Sequence, residues 1–102
     1  MTADLDAEEV VDAIPPKTIR FPAFEFAGNH RTYDHVTLRP LTLGDMLDAG
    51  KLPGALDQNM KLIALTSEMP PAAVRLLPPQ VLEIAGRYFA RFSLPSQATG
   101  ET

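Results

Sequence analysis

Two histidines, His30 and His35, with Asp34 beside the second, are the chain's only imidazoles. Imidazole next to carboxylate is the raw material of a metal site or a proton relay. The spacing works against both. His30 falls in a turn-forming stretch and His35 on a strand, where successive side chains diverge while metal ligands must converge. Asp45 and Asp48 lie one helical turn apart and could act as paired carboxylates, yet at a helix start their ordinary work is capping and dipole compensation. Ser67 and Ser93 lack the surroundings of a nucleophile elbow, and Gly44, Gly50 and Gly54 do not form a phosphate loop. Arg75, Arg87 and Arg91 alternate with Glu68 and Glu83 and read as a mixed solvated face. The expectation is no catalytic residue, no metal and no cofactor.

What remains is binding chemistry. Met46, Met60 and Met69 are flexible, polarizable side chains that adapt to varied apolar partners, although a core position explains them as well. With Leu76 and Tyr88, apolar residues near helix ends, they form the expected protein-binding set, and core membership is the competing reading for each. Met69, just before a proline-started helix, is expected at a surface corner.

Composition narrows the partners. The 102 residues carry 9 Lys plus Arg against 13 Asp plus Glu, a formal charge of −4, which opposes the phosphate neutralisation that nucleic-acid binding needs. No stretch approaches the roughly 18 apolar residues of a membrane helix. The start of the chain has neither the basic region nor the apolar run of a secretory signal. With no cysteine, disulfides and thiolate metal sites are excluded, which suits a reducing cytoplasm. Hydrophobic residues make up 45%, enough for one small core worth about 3 to 5 kcal/mol net, so a partner or self-association would add stability.

These side chains must be positioned by a small set of elements. Residues 1–16 hold Asp4, Asp6, Glu8, Glu9 and Asp12 before any basic residue and read as a flexible acidic arm; a short helix docking through Val10, Val11 and Ile14 is the alternative. "KTIRFPAFEF" reads as an edge strand whose alternation slips at Pro22-Ala23, the signature of a β-bulge. Gly28 and Asn29 in "AGNHR" offer positive φ for a hairpin turn, and "TYDHVTLR" returns as the second strand. Pro40 ends it. Thr42 with Asp45 makes a capping box, with Leu41 and Met46 at the staple positions. Helices are expected to Gly50, over "ALDQNMKLIALTSE", over "PPAAVRLL" and over "QVLEIAGRYFARF". The fold class is α+β: a two-stranded antiparallel hairpin followed by three or four short helices in a single compact domain, 17–92, with a disordered tail at 93–102. Leu38, Leu47, Ile63, Leu77, Leu82, Ile84 and Phe89 are the expected core.

The order strand, Gly-containing turn, "TYDHVTLRPLTLGDMLDAGKL", apolar helix, "EMPPAAVRLLPPQVLEIAGRYFARF" resembles the tail assembly chaperones of Mu-like and related contractile-tailed phages and prophages. The similarity rests on the "TLRPLTLGDML" junction, the "PPAAVRLLP" turn and the aromatic last helix. It implies a non-enzymatic morphogenesis factor in the cytoplasm of the bacterial host. Such a factor would bind the tape measure protein and keep it soluble while tail tube protein polymerises around it. It also implies that a longer, frameshifted form is worth seeking in the coding RNA. Content alone also admits a small dimeric regulatory or adaptor domain. Genes for tail tube and tape measure proteins on either side would favour the chaperone.

Overall fold

The computed structural model describes residues 8–92. The expected tail at 93–102 and the first seven residues of the arm lie outside them. Six elements follow in order: β1 Lys17–Phe26, β2 Arg31–Leu38, α1 Leu43–Gly50, α2 Ala55–Ser67, α3 Pro71–Val74 and α4 Pro79–Ala90. The two strands form one antiparallel hairpin. This is the α+β arrangement expected from strands that precede helices rather than alternate with them.

The hairpin register pairs Ile19 with Val36 and Phe24 with Tyr33, and it shifts between Arg20 and Phe24, around Pro22-Ala23. Proline there sacrifices no ladder hydrogen bond, because it has no N–H to donate. The irregularity is larger than a one-residue bulge: Phe21, Pro22 and Ala23 together face Asp34 alone. Two extra residues leave the alternation in phase, so Phe24 and Phe26 come opposite Tyr33 and Arg31 instead of rejoining the row of Ile19. Phe24 then bridges Phe21 and Tyr33, each ring pair 5.8 Å apart. At the turn, the positive φ falls on His30, at 58°, and on neither Gly28 nor Asn29. Asn29 contributes through its side chain instead. Its amide donates to the Tyr33 hydroxyl at 2.9 Å and its Oδ1 accepts from the Arg31 N–H at 3.0 Å. Side-chain bonding of this kind is why Asn recurs in turns apart from its backbone freedom.

A two-stranded hairpin is at best marginal alone, and here α2 packs on β2 and α4 on β1. The resulting core joins Ile19, Val36 and Leu38 of the hairpin to Ile63 of α2, Ala73 and Val74 of α3, and Val81, Ala85, Tyr88 and Phe89 of α4. Leu38, Ile63 and Phe89 are buried as expected; Leu77, Leu82 and Ile84 are half-buried at its edge. Leu47 is not in the core: it is 67% exposed. The reason is rotational. In α1 the buried side chains are Asp45 and Ala49, and at 100° per residue Leu43 and Leu47 lie on the opposite side of that helix.

α2 ends one residue earlier than its apolar pattern suggests. Glu68 adopts a left-handed conformation, φ 60°, and stops the helix in the role glycine usually fills. Residues 8–16 form no helix, and Val10 and Val11 are exposed. The base of this arm is held: Ile14 packs against the core, and the Tyr88 hydroxyl donates to the Pro15 carbonyl at 2.8 Å.

Candidate functional site

The junction 36–47 is built around one buried carboxylate. Thr42 and Asp45 form the reciprocal capping box: the Thr42 hydroxyl accepts from the Asp45 N–H at 3.2 Å and Asp45 Oδ2 accepts from the Thr42 N–H at 2.9 Å. Asp45 also receives both arms of the Arg39 guanidinium, at 2.7 and 3.0 Å. Arg39 further donates to the Pro40 carbonyl and to the Leu65 carbonyl of α2, and its backbone N–H donates to the Thr66 carbonyl. The end of β2, the start of α1 and the last turn of α2 are therefore fixed at one point. The Arg39 hydrogen bonds hold the Asp45 carboxyl down, from 3.8 to about 2, against a burial that pushes it upward. A carboxylate so committed has no proton to exchange near neutrality, which agrees with a structural and not a catalytic role.

The sequence pattern points to Thr42 and Asp45 but gives no sign of Arg39. A capping box has a fixed local spacing, whereas a bidentate partner arriving from the end of a strand has none. His35 Nδ1 lies 2.7 Å from Asp34 Oδ1 on the exposed strand surface. Among the described residues, no three His, Cys, Asp or Glu side chains converge as metal ligands.

The five expected binding residues do not share one face. Met69 and Tyr88 are buried in the core, each 4% exposed. Met69 is thus no surface corner: α2 ends at Ser67 and the chain turns inward, with the Met69 N–H donating to Ser67 Oγ. Tyr88 turns its ring into the core, edge-on to Phe92 at 5.3 Å, and spends its hydroxyl on Pro15. Leu76 is 55% exposed and lines neither the trough nor the α1 cleft described below. Met46 borders a cleft between α1, α2 and α4 with Leu41, Leu62 and Phe89.

Met60 lines an apolar concavity. A groove of about 320 Å³ runs between α2, α3 and α4, floored by Ile63, Val74 and Val81 and walled by Leu56, Met60, Leu77 and Leu82. A second depression of about 400 Å³ shares Met60 and Arg75 with it and adds Leu52, Ala64 and Pro71, with Lys61 and Asp57 at its edge. Two proline pairs create this trough. Pro70-Pro71 and Pro78-Pro79 each start a helix at its first turn, where the missing N–H is not needed. They confine α3 to a single turn between α2 and α4. Leu56, 56% exposed, stands at the rim. The helical stripe Leu56, Met60, Ile63 was legible in the sequence. Its emergence onto an open groove was not, because that depends on how α3 spaces the neighbouring helices.

The arrangement offers an apolar trough with charged edges, suited in size and lining to the nonpolar face of a helix. The family model described as "Phage tail assembly chaperone proteins, E, or 41 or 14" matches residues 17–94. Comparison with curated proteins and with solved structures finds no match.

Proposed function

The chain belongs to the phage tail assembly chaperone family, and on that premise we propose that it binds the tape measure protein and keeps it soluble during tail tube assembly in the host cytoplasm. The family's role is assembly, not catalysis. The observation that carries the finer reading is the trough at Met60, in which an amphipathic helix can bury its apolar stripe along Leu56, Met60 and Leu82. A long, helix-rich chain awaiting its tube subunits exposes such stripes and would self-associate through them. A small partner with a formal charge of −4 covers the stripe and adds net charge, and both effects favour solubility. Several copies along one tape measure protein would act together by avidity, so a modest individual groove suffices. Among the described residues no helix is long and apolar enough to cross a membrane.

The test is co-expression with the tape measure protein of the same phage or prophage. The wild-type chain should keep that protein in the soluble fraction. Leu56→Lys, at an exposed rim position, should leave the circular dichroism and melting midpoint of the chain unchanged and return its partner to the pellet. Equal recovery with the wild type and with no chaperone at all would defeat the reading.

A further inference from the structure

Among the described residues, the arm at 8–12 carries charge and apolar surface that meets no partner. Val10 and Val11 are 79% and 94% exposed, and among the described residues none of Glu8, Glu9 and Asp12 makes an ion pair. At its base lies the opposite chemistry. A cleft of about 150 Å³ is formed by Lys17 of β1 and by Ile84, Arg87, Tyr88 and Arg91 at the end of α4, three cations beside Ile84 and Tyr88. Arg87 meets Glu83 at 3.4 Å in an exposed pair, which water screens heavily; Lys17 and Arg91 make no ion pair among the described residues. The arm and the cleft are complementary in sign.

We propose that the acidic arm of one molecule docks in the Lys17–Arg87–Arg91 cleft of a second copy, giving a reciprocal, arm-exchanged dimer. The geometry favours exchange over folding back. Tyr88 fixes Pro15 at the edge of the cleft, and each residue that precedes a proline, here Ile14 and Pro15, is held out of the helical region. The chain therefore leaves the cleft extended instead of turning back across α4. Extended residues advance about 3.3 Å each, so Asp12 and Glu8 can reach about 10 and about 23 Å beyond Pro15, enough to meet a neighbour. A two-fold axis beside the two Pro15 residues brings each arm to the other's cleft, and the same contacts form twice. The cleft shares no lining residue with the trough at Met60, so the association leaves that trough open.

Charge reversal across two variants tests it. Glu8→Lys/Glu9→Lys/Asp12→Lys gives an all-basic pairing and Lys17→Glu/Arg87→Glu/Arg91→Glu an all-acidic one. In sedimentation equilibrium the wild-type chain should dimerise, with the association weakened as salt rises. Each variant alone should associate at least tenfold more weakly, and an equimolar mixture of the two should restore a dimer containing one of each. Should the triple changes disturb folding, Val11→Ser at a fully solvated position must still weaken the wild-type dimer. A wild-type chain that stays monomeric, a dimer indifferent to Val11→Ser, or folded variants that fail to pair when mixed would each overturn the proposal.

Discussion

Arg39→Met removes the guanidinium from the corner while keeping an aliphatic stem of similar length. Its cost follows from what Asp45 would lose. The carboxyl sits at about 2 in the folded chain against an ordinary 3.8, chiefly through Arg39. Near 1.4 kcal/mol per pH unit, that difference is worth about 2.5 kcal/mol. Arg39 itself is 42% solvent-exposed while Asp45 is 8% exposed, so screening trims the pair's share, and the lost bonds to the Pro40 and Leu65 carbonyls partly restore it. A net destabilisation of about 2 to 3 kcal/mol is expected for removing charge-assisted bonds from a buried carboxylate, a fall of about 10 to 20 °C in melting temperature for a domain this small. The sign with pH is fixed by the lowered carboxyl. Its contribution is fully present above 3.8 and is lost as pH falls through about 2, with about 1 kcal/mol gone at pH 3 and about 2 at pH 2. Urea melts of the wild type, Arg39→Met and Asp45→Asn at pH 7, 3 and 2 separate this carboxyl from the others. The wild type should lose more stability than Asp45→Asn over that window. A change under about 0.5 kcal/mol for Arg39→Met, or parallel pH profiles for wild type and Asp45→Asn, would refute the reasoning.

Other substitutions probe the core, the helix end and the exposed face. Phe89→Ala, in the core at 6% exposure, should cost about 3 to 5 kcal/mol in a denaturant melt. Met69→Lys places a charge in that same core and should unfold the chain by circular dichroism, where a surface position would tolerate it. Glu68→Gly relieves the left-handed residue at the end of α2 and should stabilise by about 0.5 to 1 kcal/mol, read as a raised melting midpoint. Leu47→Ala, on the outer face of α1, should change stability by no more than about 0.5 kcal/mol.

Periodicity and cap chemistry carried most of the fold because they are local. The hairpin turn, the irregularity at Pro22-Ala23 and the Thr42–Asp45 box each depend on residues within a few positions of one another. The failures are those of rotation and distance. Leu47 looks like core by composition, but the orientation of α1 is set by Asp45 reaching Arg39, and that turns Leu47 outward. Met69 and Tyr88 look like surface by their places near helix ends, but the chain turns inward after Glu68 and Tyr88 anchors the arm through Pro15. Of the expected binding residues only Met60 lies in the apolar trough, since the trough exists through the spacing of three helices and not through any one of them.

The methionines allow the central claim to be measured inside the folded protein. With 13C-methyl methionine, a titration of the chain with an amphipathic tape measure segment reports separately on Met46, Met60 and Met69, which lie in the α1 cleft, the trough and the core. Binding in the trough predicts that the Met60 methyl moves first and furthest, that Met69 stays nearly still, and that Leu56→Lys abolishes the shift. Tight binding with the Met60 methyl unmoved, or the same shift in the Leu56→Lys protein, would place the partner elsewhere and contradict the account.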